Sequence, residues 1–181
     1  MTAPAGRVLC LCGSLRRLSA NRAALEAARR LAPAAIELEL YEGLGALPLF
    51  NPDDDGDPPP PSVLALREAV GRADALLIAC PEYAHGVPGP FKNLLDWLVG
   101  SLEFPGKRVL LLNAAARGSY HAQEALAEIL FTMSAQLLAA QPVPVALPGA
   151  GCSAEQVLAS AERCAELRVA LDVLVEGLPV A

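Results

Sequence analysis

The sequence predicts an α/β protein built on a doubly wound, five-stranded parallel sheet of order 2-1-3-4-5, with helices on both faces. Three observations predict it. A short β-like run followed by a longer helical pattern recurs five times along the chain. The runs ALLIAC at 75–80 and RVLLLN at 108–113 are almost continuously apolar, as strands covered on both faces are. The chain has 181 residues, 54% of them hydrophobic, enough for one sizeable core, so 1–181 is read as a single domain.

Each element has its own signal. RVLCLC at 7–12 is short and apolar and stops at Gly13-Ser14. Residues 20–31 repeat apolar side chains at helical spacing, with Arg29 and Arg30 near the end, where cations suit the helix dipole. IELELY at 36–41 alternates strictly, as a half-exposed edge strand does. Residues 62–72 read as a helix with Ser62 as N-cap. After the buried strand at 75–80 comes a helix over 88–99, then the strand at 108–113 and one long helix over 121–138. A fifth strand over 142–147 and a final helix over 153–175 complete the series. This alternation suits the flavodoxin-like arrangement.

Composition removes several functions. Lys plus Arg is 14 against 20 Asp plus Glu, a net charge of −6. An acidic chain is a poor ligand for nucleic-acid phosphates or anionic membranes. The start, MTAPAGRVLCLCGS, has no basic leader region. Residues 129–154 lack charge, but Pro142, Pro144 and Pro148 interrupt them, so no membrane span is expected. Five cysteines without CxxC or zinc-like spacing read as buried reduced thiols of a cytoplasmic protein, and no metal site is expected. The patch NPDDDGDPPPPS at 51–62 is read as an exposed acidic, proline-rich connector. Asn51, Asp53, Asp55 and Gly56 match the opening of a calcium loop, but its twelfth position is Ser62 where a glutamate is needed.

In such a sheet, ligands bind beyond the carboxyl ends of the strands, at the switch between the first and third. Three loops meet there. Residues 13–21 offer Gly13, hydroxyls of Ser14 and Ser19, guanidiniums of Arg16 and Arg17, the Asn21 amide and the free N–H groups of a helix start. That set suits a phosphate dianion; the competing reading is a turn capped by Ser19 with solvated arginines. Residues 80–90 carry three prolines and two glycines, a rigid irregular backbone that can read the edge of a flat ring, with Tyr83 beside it. His85 is a catalytic candidate or a bystander. Residues 113–121 include the small Ala114-Ala115-Ala116, Gly118 and Ser119, letting a ligand approach the backbone; Arg117 meets a second anion or is simply solvated. His121 is read as capping the following helix.

These residues resemble a known family. Gly13-Ser14-Leu15-Arg16 with Ser19 and Asn21, then Pro81-Glu82-Tyr83, Val87-Pro88-Gly89, Lys92-Asn93 and Asp96-Trp97, are similar to the NAD(P)H-dependent FMN reductases. That family includes quinone, azo-dye and chromate reductases. The likeness runs from residue 7 to about 138, and the paired patterns GSxRxxSxN and PEYxxxxPGxxKNxxDW are specific. The resemblance implies FMN held non-covalently, its phosphate on Ser14, Arg16, Ser19 and Asn21. It implies the isoalloxazine along Pro81, Glu82, Tyr83 and Ala84, with Ala115 on its other side. Hydride then passes from NADPH or NADH through FMN to a small acceptor: a quinone, azo compound, chromate or free flavin. No catalytic side chain is required. Arg117 and His85 are candidates for the nicotinamide or substrate. Homodimers or homotetramers are implied, with 47–51 reaching the partner's pocket and Lys92, Asn93, Asp96 and Trp97 shaping the helix and contact. The helix from 153 lies outside the likeness and is expected to pack or serve oligomer contacts. Many relatives have Asn and Ser where this chain has Ala84 and Gly86, and a serine where it has Ala114-Ala115-Ala116.

Two rival functions remain. A flavodoxin-like electron carrier would bind FMN and await a protein partner. A phosphatase of the low-molecular-weight type would use Cys10 and Arg16, which satisfy C-x5-R. Against it, Arg17 stands where Ser or Thr is expected, and no Asp-Pro pair lies where the general acid belongs.

Overall fold

The computed structural model describes residues 6–115, 119–149 and 151–178. Four parallel strands form the body of the sheet: β1 (Gly6–Cys12), β2 (Ile36–Leu40), β3 (Ala75–Ala79) and β4 (Arg108–Asn113), in the order β2-β1-β3-β4. The helices are α1 (Ala20–Leu31), α2 (Pro61–Arg72), α3 (Gly89–Val99), α4 (Tyr120–Thr132), α5 (Ala154–Leu158) and α6 (Ala161–Gly177). The flavodoxin-like order 2-1-3-4-5 holds.

Side chains alternate across a strand, so each apolar run serves two cores. Val8, Cys10, Leu77, Leu110 and Leu112 pack with α1, α5 and α6 on one face. Leu9, Leu11, Leu76, Ile78 and Leu111 pack with α2, α3 and α4 on the other. Every residue of β3 is buried, because both faces are covered. Leu167, Ala170, Leu171 and Leu174 of α6 join the first core, so the helix beyond the family likeness is part of the packing.

The fifth position differs from the expected strand at 142–147. It is shared by two dipeptides, β5 (Gln136–Leu137) and β6 (Val143–Pro144), both parallel to β4. Pro142 and Pro144 have no N–H to give a ladder, which restricts them to such an edge. The expected helix over 121–138 ends at Thr132 for a related reason. Ser134 takes a left-handed φ of 64°, Ser134 N–H binds Phe131 O at 2.9 Å and Ala135 N–H binds Leu130 O at 2.9 Å. This is a Schellman ending made with serine where glycine is usual. The expected final helix over 153–175 is two helices. Ser160 breaks it by capping α6, accepting from Arg163 N–H at 3.4 Å. Ser62 does not cap α2; Pro60 precedes it and Pro61 takes the first position, where a missing N–H costs nothing.

The acidic connector is tied down at one point. Arg67 Nη2 binds Asp55 Oδ1 at 2.8 Å and the Trp97 carbonyl at 2.8 Å, while Asp53, Asp54 and Asp57 are exposed. Asn93 and Trp97 fix the preceding segment. Each donates to the Pro48 carbonyl at 2.8 Å, and Asn93 accepts from Phe50 N–H at 2.7 Å. No helix among the described residues is long and apolar enough to cross a membrane.

Candidate active site

The carboxyl ends of β1, β3 and β4 open into a cavity of about 570 Å³. Its first wall follows β1. Gly13 N–H binds Ala79 O at 2.9 Å, which carries the chain across the end of β3. A Cβ on Gly13 would lie 2.5 Å from Cys80 Sγ, so only glycine permits this crossing. Ser14 Oγ accepts from Arg16 N–H at 3.2 Å, and Ser19 caps α1 by accepting from Arg22 N–H at 3.4 Å. The earlier first-turn N–H groups of Ala20 and Asn21 have no acceptor among the described residues, and both residues line the cavity. Arg16 is exposed and reaches towards Gly151, where a Cβ would lie 3.6 Å from its Nη2.

The second wall follows β3. Tyr83 N–H binds Gly86 O at 3.1 Å and Gly86 N–H binds Tyr83 O at 3.0 Å. Between them Ala84 (φ 50°) and His85 (φ 58°) are both left-handed, the geometry of a type I′ turn. Glu82 ties this wall to the third. Its Oε2 accepts from Ala122 N–H at 3.0 Å, and its Oε1 lies 3.4 Å from His85 Nδ1. A carboxylate at a helix N-terminus satisfies both an orphan donor and the dipole. His121 therefore is not the cap of α4; it lies within the first turn, its ring edge-on to that of His85.

The third wall is Ala114, Ala115 and Ser119, with Ala115 N–H bound to Asn113 Oδ1 at 3.3 Å. Pro148 and Gly149, from the segment after β6, complete the lining. The cavity thus gathers Ser14, Arg16, Ser19, Asn21, Pro81, Glu82, Tyr83 and Ala115. Ala84 and His85 stand at the tip of the turn rather than in the lining. Arg117 lies outside the described residues. Sequence reading missed Ser119, Pro148 and Gly149. A Pro-Gly pair after the last strand was the signal for the last two, since in a parallel sheet the carboxyl ends of the strands share one side.

The phosphatase reading fails on Cys10. It lies inside β1 at 1% exposure, and burial pushes its thiol up to about 12. A phosphatase nucleophile must be an accessible thiolate.

Residues 7–147 match the family described as NADPH-dependent FMN reductase. The chain belongs to this family. It is 39% identical over 128 residues to an NAD(P)H-dependent FMN reductase of Pseudomonas aeruginosa, which covers 66% of this chain and 69% of that one. It is 34% identical over 131 residues to a quinone reductase of Escherichia coli K12, with 66% and 69% covered. Among solved structures, it superposes with a TM-score of 0.72 and 26% identity on a flavoenzyme NAD(P)H:(acceptor) oxidoreductase of Paracoccus denitrificans, covering 97% of this chain and 100% of that one. The chain is accordingly an oxidoreductase with FMN as cofactor and NAD(P)H as reductant.

The cavity fits that cofactor. One end offers unpaired helix N–H groups, two hydroxyls and a guanidinium, which is donor chemistry for a phosphate. The other end is bounded by backbone and small side chains, which admit a flat ring closely. The volume is within the usual range for small-molecule sites, about 300–1,000 Å³.

Proposed function

We propose that this protein passes reducing equivalents from NAD(P)H, by way of FMN in this cavity, to a small oxidised acceptor of the quinone type. The observation that carries the reading is the meeting, in one cavity at the switch point, of a phosphate-grade donor set (Ser14, Arg16, Ser19, Asn21) with Pro81, Glu82, Tyr83, Ala114 and Ala115. Ser14, Arg16, Ser19, Asn21 and the first-turn N–H groups of α1 would hold the phosphate. Pro81, Glu82 and Tyr83 would border the ring on one side and Ala115 on the other, with Ala84 at the tip of the adjoining turn. Bound there, FMN supplies two-electron hydride acceptance and donation.

The protein's own part is binding and orientation. Tyr83 and Gly86 satisfy each other's backbone groups, so the turn keeps its shape without a ligand. The main-chain groups of Glu82, which lines the cavity, remain for a ring edge. This would stand in for the side-chain bonds that Asn and Ser could offer at these places in many relatives and that Ala84 and Gly86 cannot. Tyr83, at 55% exposure, offers an aromatic surface beside the mouth for a nicotinamide or acceptor. Such a shallow site selects weakly among quinones, azo compounds, chromate and free flavin. The quinone type is preferred because 36% identical relatives are named quinone reductases.

We further propose a homodimer through the apolar groove formed by Leu15, Leu44, Leu47 and Leu49 against Gly89 and Pro90. Leu49 is 85% exposed in the single chain. All five cysteines are free thiols, which suits the reducing cytoplasm.

The test is to load the protein with FMN, desalt it and add NADPH without oxygen while following flavin absorbance. Bleaching of retained flavin, reversed by a quinone, is expected. Retained flavin that does not bleach would overturn the reading in favour of an electron carrier.

A further inference from the structure

The chain contains two histidines, His85 and His121. The fold brings their rings to 4.4 Å between centroids, edge to face at 88°. His85 belongs to the turn of the second wall. His121 lies in the first turn of α4, just after the lining residue Ser119. The pair therefore bridges two walls of the cavity. Glu82, itself in the lining, supports both partners: one oxygen holds the start of α4, the other lies 3.4 Å from His85 Nδ1.

His85 is thus fixed although its side chain is 77% exposed. Its backbone is also held left-handed, at φ 58°. A non-glycine residue is uncommon in that region and persists there where its surroundings hold it. An oriented, wet imidazole at the rim of a redox cavity is suited to moving protons.

We propose that His85 donates the proton needed to reduce a quinone-type acceptor, with Glu82 and His121 as positioning residues. This rests on the quinone reading above. Conversion of a quinone to a hydroquinone takes up one hydride and one proton. The hydride carries both electrons and derives from NAD(P)H. The proton must reach a carbonyl oxygen as negative charge gathers there. With Nδ1 facing Glu82, Nε2–H of the imidazolium is the donor: that N–H bond breaks, an O–H bond forms on the acceptor, and the ring is left neutral. Solvent returns the proton to the exposed ring. Among the described residues, the charged or titratable groups on His85 are Glu82 from its own loop and His121 from α4.

The test compares two acceptors on the FMN-loaded, NADPH-reduced protein. Ferricyanide takes electrons without a proton, whereas benzoquinone needs one. His85→Asn keeps a residue tolerant of the left-handed region. We expect its ratio of quinone to ferricyanide rates to fall about 10-fold or more, with a changed solvent deuterium isotope effect on the quinone rate. His121→Gln should lower the same ratio less. Without turnover, benzoquinone added to the oxidised protein should shift the His85 imidazole NMR signal. An unchanged ratio and isotope effect in His85→Asn, or an unmoved His85 signal, overturns the proposal. A wild-type protein that reduces ferricyanide but no quinone defeats the underlying acceptor reading instead, a result the ferricyanide rate makes distinct.

Discussion

Between β1 and α1 the cavity wall leaves its donors free; between β3 and α3 the wall binds itself. In the first, Ser19 caps one N–H, and the first-turn N–H groups of Ala20 and Asn21, two residues that line the cavity, have no acceptor among the described residues. Its cations are exposed. In the second, Tyr83 and Gly86 close a reciprocal pair, Glu82 is tied to α4, and two residues are held in a strained conformation. On the proposed reading, the contrast separates two tasks. An anion end needs unsatisfied donors, which a ligand completes. A ring end needs a shape fixed beforehand, because stacking and edge contacts are lost with small displacements.

Four substitutions test this division, beginning with the point where the walls touch. Gly13→Ala places a Cβ 2.5 Å from Cys80 Sγ and 3.1 Å from Cys80 Cα. It should cost about 1–3 kcal/mol of stability, read by thermal melting. Adding Cys80→Ala should restore only part, since the backbone contact remains. Arg16→Ala should do the reverse. FMN binding, followed by flavin fluorescence, should weaken about 10-fold or more, as for loss of a charged hydrogen bond. Its flavin-free stability should move by no more than about 0.5 kcal/mol. A matching loss of stability would show that the first wall, too, is held by its own contacts. Glu82→Ala removes the remote cap of α4 and should cost about 1 kcal/mol, seen as a lower urea midpoint. No change there would mean that the second wall stands without its tie. Smallest is Ala84→Asn, which should raise the same midpoint by up to about 1 kcal/mol by easing the left-handed backbone. A lower midpoint would count against strain in the turn.

The division was only partly legible in the sequence. The order of the sheet was, because ALLIA and VLLL can be covered only from both sides and Gly13-Ser14 marks the end of β1. The first wall was also readable, since Ser19 before an apolar helical pattern is a local signal. The fifth sheet position was not. Ser134 ends α4 in a conformation that glycine usually announces, so the helical pattern ran on to 138 on paper. Ser160 carried a capping signal that was overlooked within a long apolar period. Pro148 and Gly149 reach the cavity only through the path after β6. Contact between His85 and His121 depends on the placement of a turn against the start of α4, which no spacing along the chain encodes.

The divided outer position has a consequence for self-association. A long, regular edge strand offers its free backbone groups to any other strand and invites fibre-like growth. Here that side ends in two dipeptides interrupted by prolines, and the opposite border, β2, carries Glu37 and Glu39 outward. Neither margin is a template for adding a strand from a second molecule. Growth of the sheet by strand addition is thereby disfavoured at both margins, which leaves helix and loop surfaces for any contact between copies.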